Sequence, residues 1–301
     1  MLEISVLIPT YLRPDMVRRA IDSCLTQQGV EVGFEIVVVD NDPKESARPL
    51  VQAMAAAAAV PIRYVAEPRP GISHARNTAV ASAAGRYIAW LDDDEEATPG
   101  WLAAFWSTMR QSGADIVVGP HYPKLPPEEA QAYAARVHTR DAHAPTGTVL
   151  KSWDKLNGLF DKQRCFGDDE QPFDLWLGIA GGGDTLFFRR QIRAGRKIVW
   201  CAEALIRETL PPERLAPRSI LRRRFHHGQI TTFVRMAVKP AQPLGVAFWM
   251  AVGCGQVVCY APVALALRAL NDERWVAAMG QCVGGLGKVL WHPKLHLRLY
   301  R

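Results

Sequence analysis

Over its first 120 residues the chain alternates between short, continuously apolar, β-branched runs and longer helix-like stretches, and no other feature constrains the fold as tightly. The runs fall at residues 4–9, 35–40, 62–66, 87–91 and 115–119. The helix-like stretches between them cover 14–27, 45–59, 72–84 and 99–111. Strands that are apolar throughout, rather than on alternate residues, are buried on both faces. Separated by helices, they specify a βαβ succession and a parallel sheet covered on both sides. Ligands of such open sheets bind beyond the carboxyl ends of the strands.

That rule directs attention to 88-IAWLDDDEEATPGW-101, where five acidic residues follow the fourth strand directly. The run is expected to fill the turn into the next helix, which Thr98 would cap and Pro99 would begin. Side chains two apart at a strand end point the same way, so Asp92 and Asp94 can converge. Paired carboxylate oxygens suit a hard divalent cation such as Mg²⁺ or Mn²⁺, with phosphate oxygens completing its shell. A helix N-terminus that welcomes acids accounts for Glu95 and Glu96 but not for three aspartates at the strand end. The expectation is therefore a site of three residues and a replaceable flank of two.

The other strand ends face the same edge. Pro9, Thr10 and Tyr11 would place a hydroxyl and an aromatic ring where a nucleobase needs a flat neighbour. Asp40, in VVVDNDP, could accept hydrogen bonds from a base or ribose, or close an Asx-type turn. Arg76, in 67-EPRPGISHARNTAV-80, could aim a guanidinium at phosphates. Further on, 178-GIAGGGDTLFFRR-190 sets Asp184 behind three glycines at a helix start, as a general base or a simple cap. Asp168, Asp169 and Glu170 read as a solvated loop or alternative acids.

Taken together, ISVLIPTYLRP…IVVVDND…GISHARNTAVASAAGRYIAWLDDDE resembles the nucleotide-sugar-binding half of family 2 glycosyltransferases of the GT-A fold, over about the first 120 residues. The resemblance implies a Rossmann-like, mostly parallel sheet flanked by helices. It implies that Pro9, Thr10, Tyr11, Asp40, Arg76, Asp92 and Asp93 contact the nucleotide and that Asp92 to Asp94 form an Asp-X-Asp motif, with Asp94 as principal metal ligand beside Asp92. The segment around Asp184 is similar to the family's acceptor-side segment, where an acidic pair precedes a helix. Gly183 replaces the first acid here, and Asp184 remains as the implied catalytic base. The implied activity is inverting, metal-dependent transfer of a hexose-type sugar from a nucleotide-diphosphate sugar to a saccharide acceptor in surface polysaccharide assembly. A nucleotidyltransferase would use similar carboxylates, but no glycine-rich phosphate loop with a following lysine stands near the first strand. A non-catalytic saccharide- or membrane-binding module would tolerate loss of the acids.

The remaining sequence divides by composition. Residues 1–235 read as the catalytic domain, with a donor half at 1–120 and an acceptor half at 121–235, and 236–301 as a C-terminal membrane-associated helical segment. The acceptor half begins irregularly, over 120–175, then resumes a helix at 185–194, a strand at 197–201 and a basic helix at 219–233. Arg222, Arg223, Arg224, His226 and Gln229 on that helix are candidates for a donor diphosphate or for a basic face toward a membrane.

From Pro240 to Leu267 no residue is charged, a run of 28 and long enough to span a bilayer. Basic residues flank it on both sides, with Arg235 and Lys239 before and Arg268, Arg274, Lys288, Lys294 and Arg298 after. One crossing would leave a basic flank on the wrong side, so a hairpin, re-entrant or interfacial attachment fits better. The acceptor is accordingly expected to be lipid-linked. The net charge of +6 carries no basic face interleaved with aromatics, which argues against nucleic acid. Six cysteines without paired spacing read as free thiols of a reducing compartment. Met1-Leu2-Glu3 runs straight into ISVLIP with neither basic region nor cleavage site, so the catalytic part is expected at the cytoplasmic face of the inner membrane.

Overall fold

The computed structural model describes residues 2–125 and 137–296. Pro126, Pro127 and Arg298 lie outside them. The chain forms two units. The first comprises residues 1–124, 138–179 and 190–209; the second comprises 125–137, 180–189 and 210–301.

The first unit is built on a seven-stranded sheet of order β3-β2-β1-β4-β8-β6-β9. Its strands are β1 Leu2–Thr10, β2 Gly33–Asp40, β3 Ile62–Ala66, β4 Tyr87–Trp90, β6 Ile116–Val118, β8 Gly158–Asp161 and β9 Ile198–Trp200. The first four pair in parallel, as the apolar runs require, and β8 enters antiparallel between β4 and β6. Helices α1 Pro14–Leu25, α2 Arg48–Ala57, α3 Ile72–Ser82 and α4 Trp101–Ser112 connect them. Helix α1 shows why: Val17, Ala20, Ile21 and Cys24 recur at three- and four-residue spacing and are all buried. Because β2 and β3 lie on one side of β1 and β4 on the other, the chain changes direction between β1 and β4. A crevice opens at such a switch point.

The acidic run is not one turn. Glu95 to Ala97 form strand β5, which pairs antiparallel with β10 Ile206–Thr209, and β10 in turn pairs with β7 His121–Lys124. This second sheet corrects the expected helix start. Drawing 95–97 into a strand carries Thr98 to Leu205, whose carbonyl accepts its hydroxyl at 3.0 Å. Helix α4 then begins at Trp101 behind Gly100, with no side-chain cap.

Loops at the carboxyl edge are fixed by buried polar groups. Asn41 donates to the carbonyls of Glu67 and Arg69 at 2.8 and 2.7 Å and accepts from the Gly71 N–H at 2.9 Å. Glu67, itself buried, takes a forked pair of bonds from Arg69 and another from Thr78. Those bonds, led by Arg69, hold its carboxyl down at about 2 against the opposing effect of burial. A depressed carboxylate stabilises the fold above its unfolded value and loses that contribution as pH falls toward its folded value. Glu67→Gln should therefore cost about 1–3 kcal/mol at neutral pH. Urea denaturation should show the gap between variant and parent closing as pH falls from about 4.5 to about 2.

The second unit holds α6 Pro217–Ala237, α7 Pro243–Ala269 and α8 Trp275–Val289, after α5 Gly183–Arg193, which begins in this unit and ends in the first. The uncharged run and the shorter apolar stretch behind it are thus two consecutive helices.

Candidate functional site

Five carboxylates gather at the β1/β4 crevice, and the loop after β1 reaches across to them. Thr10 donates its hydroxyl to Asp93 at 2.8 Å, and Arg13 donates to Asp93 at 3.1 Å and to Asp94 at 3.3 Å. Between them Leu12 takes a left-handed backbone, φ 55°, rare for a residue with a branched side chain, while Tyr11 stands half exposed beside it. Arg76 approaches Asp92 at 3.7 Å from α3 and stacks on Phe173. Asp92, Asp94 and Glu95 each present an oxygen, all within 4.8 Å of one another. The expected convergence of Asp92 and Asp94 is therefore present.

Glu95 departs from expectation. It is buried within the cluster rather than replaceable at a helix start: strand β5 turns its side chain inward, where it accepts from the Asp92 N–H at 2.9 Å and from Lys155 at 2.6 Å. Glu96, on the opposite side of the strand, forms half-buried ion pairs with Lys124 and Arg19, so it alone fits the flank. Lys155 also reaches Asp92 at 3.3 Å. Behind them His121 donates from Nδ1 to the His138 carbonyl and sets Nε2 3.0 Å from Glu208, the fifth carboxylate.

Lys155, His121, Glu208 and Arg13 were not singled out in the sequence. Glu208 carried one local signal, a charge at an inward position of the strand 206-IRET-209, on the same side as Ile206. Lys155 carried none, because it is brought in by the loop before β8.

Crowding sets the protonation of this cluster. Burial would raise Asp92, but Lys155 and Arg76 outweigh it and hold the carboxyl below the usual range. Burial, reinforced by the charges of Glu208, Asp92 and Asp93, pushes Asp94 up to about 6. Burial pushes Glu95 up to about 8 against the pull of Lys155. Lys155 stays charged despite burial because Glu95 and Asp92 face it. The carboxylates of Asp92, Asp93, Asp94, Glu95 and Glu208 thus surround the permanent cations Arg13, Arg76 and Lys155, and negative charge is in excess.

Acids whose folded values lie above their unfolded ones make the native state bind more protons, so stability falls as pH rises between the two. In EDTA, the melting temperature should therefore fall as Asp94 and Glu95 ionise, from about pH 4 to about pH 8. Differential scanning fluorimetry across that range checks it.

Not every expected residue lies open at this edge. Asp40 is fully buried and accepts from the N–H groups of Asp42 and Ala47 and from the Tyr64 hydroxyl, at 3.0, 2.8 and 3.1 Å. These bonds close an Asx-type loop. On α6, His226 donates to the Ala180 carbonyl at 2.6 Å, and burial lowers it to about 4. Gln229 donates to the carbonyls of Leu290 and Leu295. Both are taken up inside the second unit, while Arg222 and Arg223 are exposed. Asp184 lies half buried in the first turn of α5. Gly181 and Gly182 before it have φ of 85° and 91°, and a Cβ on Gly182 would overlap Ile230. Glycine is needed at this turn both for its backbone and for its packing.

Hard oxygen donors at this spacing, in a locally over-negative crevice, fit a divalent cation. Asp92 and Asp94 are partly exposed, whereas Glu95 is buried against Lys155.

Residues 5–166 match the sequence profile described as Glycosyl transferase family 2. Succinoglycan biosynthesis protein ExoM of Rhizobium meliloti is 31% identical over 264 residues, covering 83% of this chain and 80% of its own. Glycosyltransferase AglE of Haloferax volcanii is 22% identical over 252 residues, with the same coverage of 83% and 80%. Among solved structures, S. aureus TarS 1–349 in complex with UDP superposes with a TM-score of 0.57 at 16% identity, over 95% of this chain and 90% of that one. At that identity the likeness speaks for the fold alone.

Proposed function

Because this chain belongs to glycosyl transferase family 2, we propose that it is an inverting, divalent-metal-dependent enzyme moving a hexose-type sugar from a nucleotide-diphosphate sugar to a saccharide acceptor. The acceptor is lipid-linked and the setting is surface polysaccharide assembly at the cytoplasmic face of the membrane. ExoM's part in succinoglycan biosynthesis and the long apolar helix α7 support that extension. One observation carries the core of the reading: a cluster of carboxylates with excess negative charge stands at the switch-point crevice, where the fold binds ligands.

Asp92 and Asp94 would hold Mg²⁺ or Mn²⁺, which supplies charge neutralisation to the departing diphosphate. Pro9, Thr10 and Tyr11 line the β1 side for the nucleotide, with the exposed Tyr11 ring available to a base. Asp93 acts from within, fixed by Thr10 and Arg13, and Arg76 supplies a second positive charge toward the diphosphate. Asp40 shapes the neighbouring loop. Asp184 accepts the proton of the acceptor hydroxyl as that oxygen attacks the anomeric carbon from the face opposite the diphosphate. The new C–O bond forms as the old one breaks, its electron pair leaving on the diphosphate; a single displacement inverts the centre.

Incubation with a panel of sugar nucleotides, uridine diphosphate sugars first, should release nucleoside diphosphate with Mn²⁺. Release of inorganic pyrophosphate from a nucleoside triphosphate and a sugar 1-phosphate would instead mark a nucleotidyltransferase, and no turnover with any donor or acceptor would mark a binding module. Mn²⁺ should also raise the melting temperature more at pH 8 than at pH 5.5, because the cation replaces protons on acids that titrate between them.

A further inference from the structure

We infer that α7 lies in the plane of an anionic membrane, one face in the acyl boundary, and does not cross it. This rests on the membrane-associated reading above and adds the mode of attachment.

The helix has 27 residues, so length alone permits a crossing of about 40 Å. Its packing does not. One side is taken by α8 along most of its length. Gly253 and Gly285 bring the two backbones together: a Cβ on either would stand 2.5 or 2.6 Å from the other's carbonyl oxygen. Toward one end Trp291 donates to the Met250 sulfur at 3.4 Å; toward the other Arg268 stacks on Trp275. Between them runs a polar ladder in which Lys288 donates to Gln256 at 2.7 Å and Gln256 to Gln281 at 3.1 Å.

Helix α8 in turn packs on α6, where the Thr232 hydroxyl donates to the Lys288 carbonyl at 3.1 Å. Helix α6 exposes Arg222, Arg223 and His227. A crossing α7 would draw α8 with its lysine, and α6 beside it, to membrane depth. It would also push the α7–α8 turn, with Arg268, Asp272, Glu273 and Arg274, through the hydrocarbon.

The other side of α7 has the opposite character. Leu244 is 86% exposed, Phe248 60%, Val258 73% and Leu265 64%, and nothing between Pro240 and Leu267 is charged. Exposed basic residues stand at both ends, Lys239 before and Arg268 and Arg274 after. An uncharged face about 33 Å long, bounded by cations, matches an acyl boundary beneath anionic headgroups. A single surface also satisfies both basic flanks, which a crossing would separate.

Flotation on vesicles of equal parts phosphatidylcholine and phosphatidylglycerol tests this with the full chain. The protein should float at low salt and be released by carbonate washing. Asn271→Cys, in a C254A/C259A/C282A background, should react with an impermeant maleimide on intact vesicles. Phe248→Asp with Val258→Asp should reduce the floated fraction about tenfold without changing the melting temperature. Flotation with carbonate resistance and an Asn271→Cys thiol reached only after permeabilisation overturns in-plane attachment but keeps membrane association. Failure to float overturns both, as does a dimer that buries this face and ignores the vesicles. Release of nucleoside diphosphate without vesicles reports on sugar transfer independently.

Discussion

Asp94→Asn should lower sugar transfer at least about a thousandfold at saturating donor and Mn²⁺, equivalent to about 4 kcal/mol of transition-state stabilisation. The size follows from position. Asp94 stands partly exposed beside Asp92, in a cluster whose buried member, Glu95, is bonded to Lys155. Burial, reinforced by the charges of Glu208, Asp92 and Asp93, pushes its carboxyl up to about 6. At neutral pH its charge is thus present beside Arg13 but crowded by like charges, which a divalent cation would relieve. An amide of the same shape removes that charge and relieves the crowding. The apo variant should accordingly melt higher than the parent at pH 8, while the Mn²⁺-dependent rise shrinks or disappears. Gain of apo stability with loss of activity separates this role from simple damage to the fold.

Asp184→Asn should lower transfer about 100- to 10,000-fold, the range typical of a positioned general base. Unlike the first variant, it should leave the affinity for nucleoside diphosphate and Mn²⁺ unchanged, because a base for the acceptor hydroxyl acts on neither the nucleotide nor the metal. Isothermal titration with nucleoside diphosphate checks this directly. Parallel loss of binding and turnover would mean that the residue holds the turn after Gly182 rather than taking a proton. Gly182→Ala is the comparison: with φ at 91° and Ile230 against the missing Cβ, it should destabilise the protein, which Asp184→Asn should not.

Much of the donor half was legible because it depends on local pattern. Apolar runs such as 4–9 and 35–40 can satisfy both of their faces only inside a covered parallel sheet, and the acids could then be placed at a strand end by counting. The acid cluster itself was half legible. Asp92 and Asp94 were found by alternation, but Glu95 was assigned to a helix that starts six residues later, at Trp101. The error has a nonlocal cause: β5 exists only because β10, more than a hundred residues away, pairs with it. Lys155 and His121 were missed for the same reason, since a lone lysine in a loop gains meaning only from what it is brought to touch. On α6 the basic cluster looked like one surface, yet burial divides it, turning His226 and Gln229 inward and Arg222 and Arg223 outward.

Nucleoside diphosphate release from a uridine diphosphate sugar, followed with Mn²⁺ and then with EDTA for the parent chain and Asp94→Asn, tests the central claim most directly. Release by the parent with Mn²⁺, its loss in EDTA, and its absence from Asp94→Asn under both conditions are the results expected. Release that persists in EDTA and is undiminished in Asp94→Asn would contradict a metal-assisted transfer at this acidic cluster.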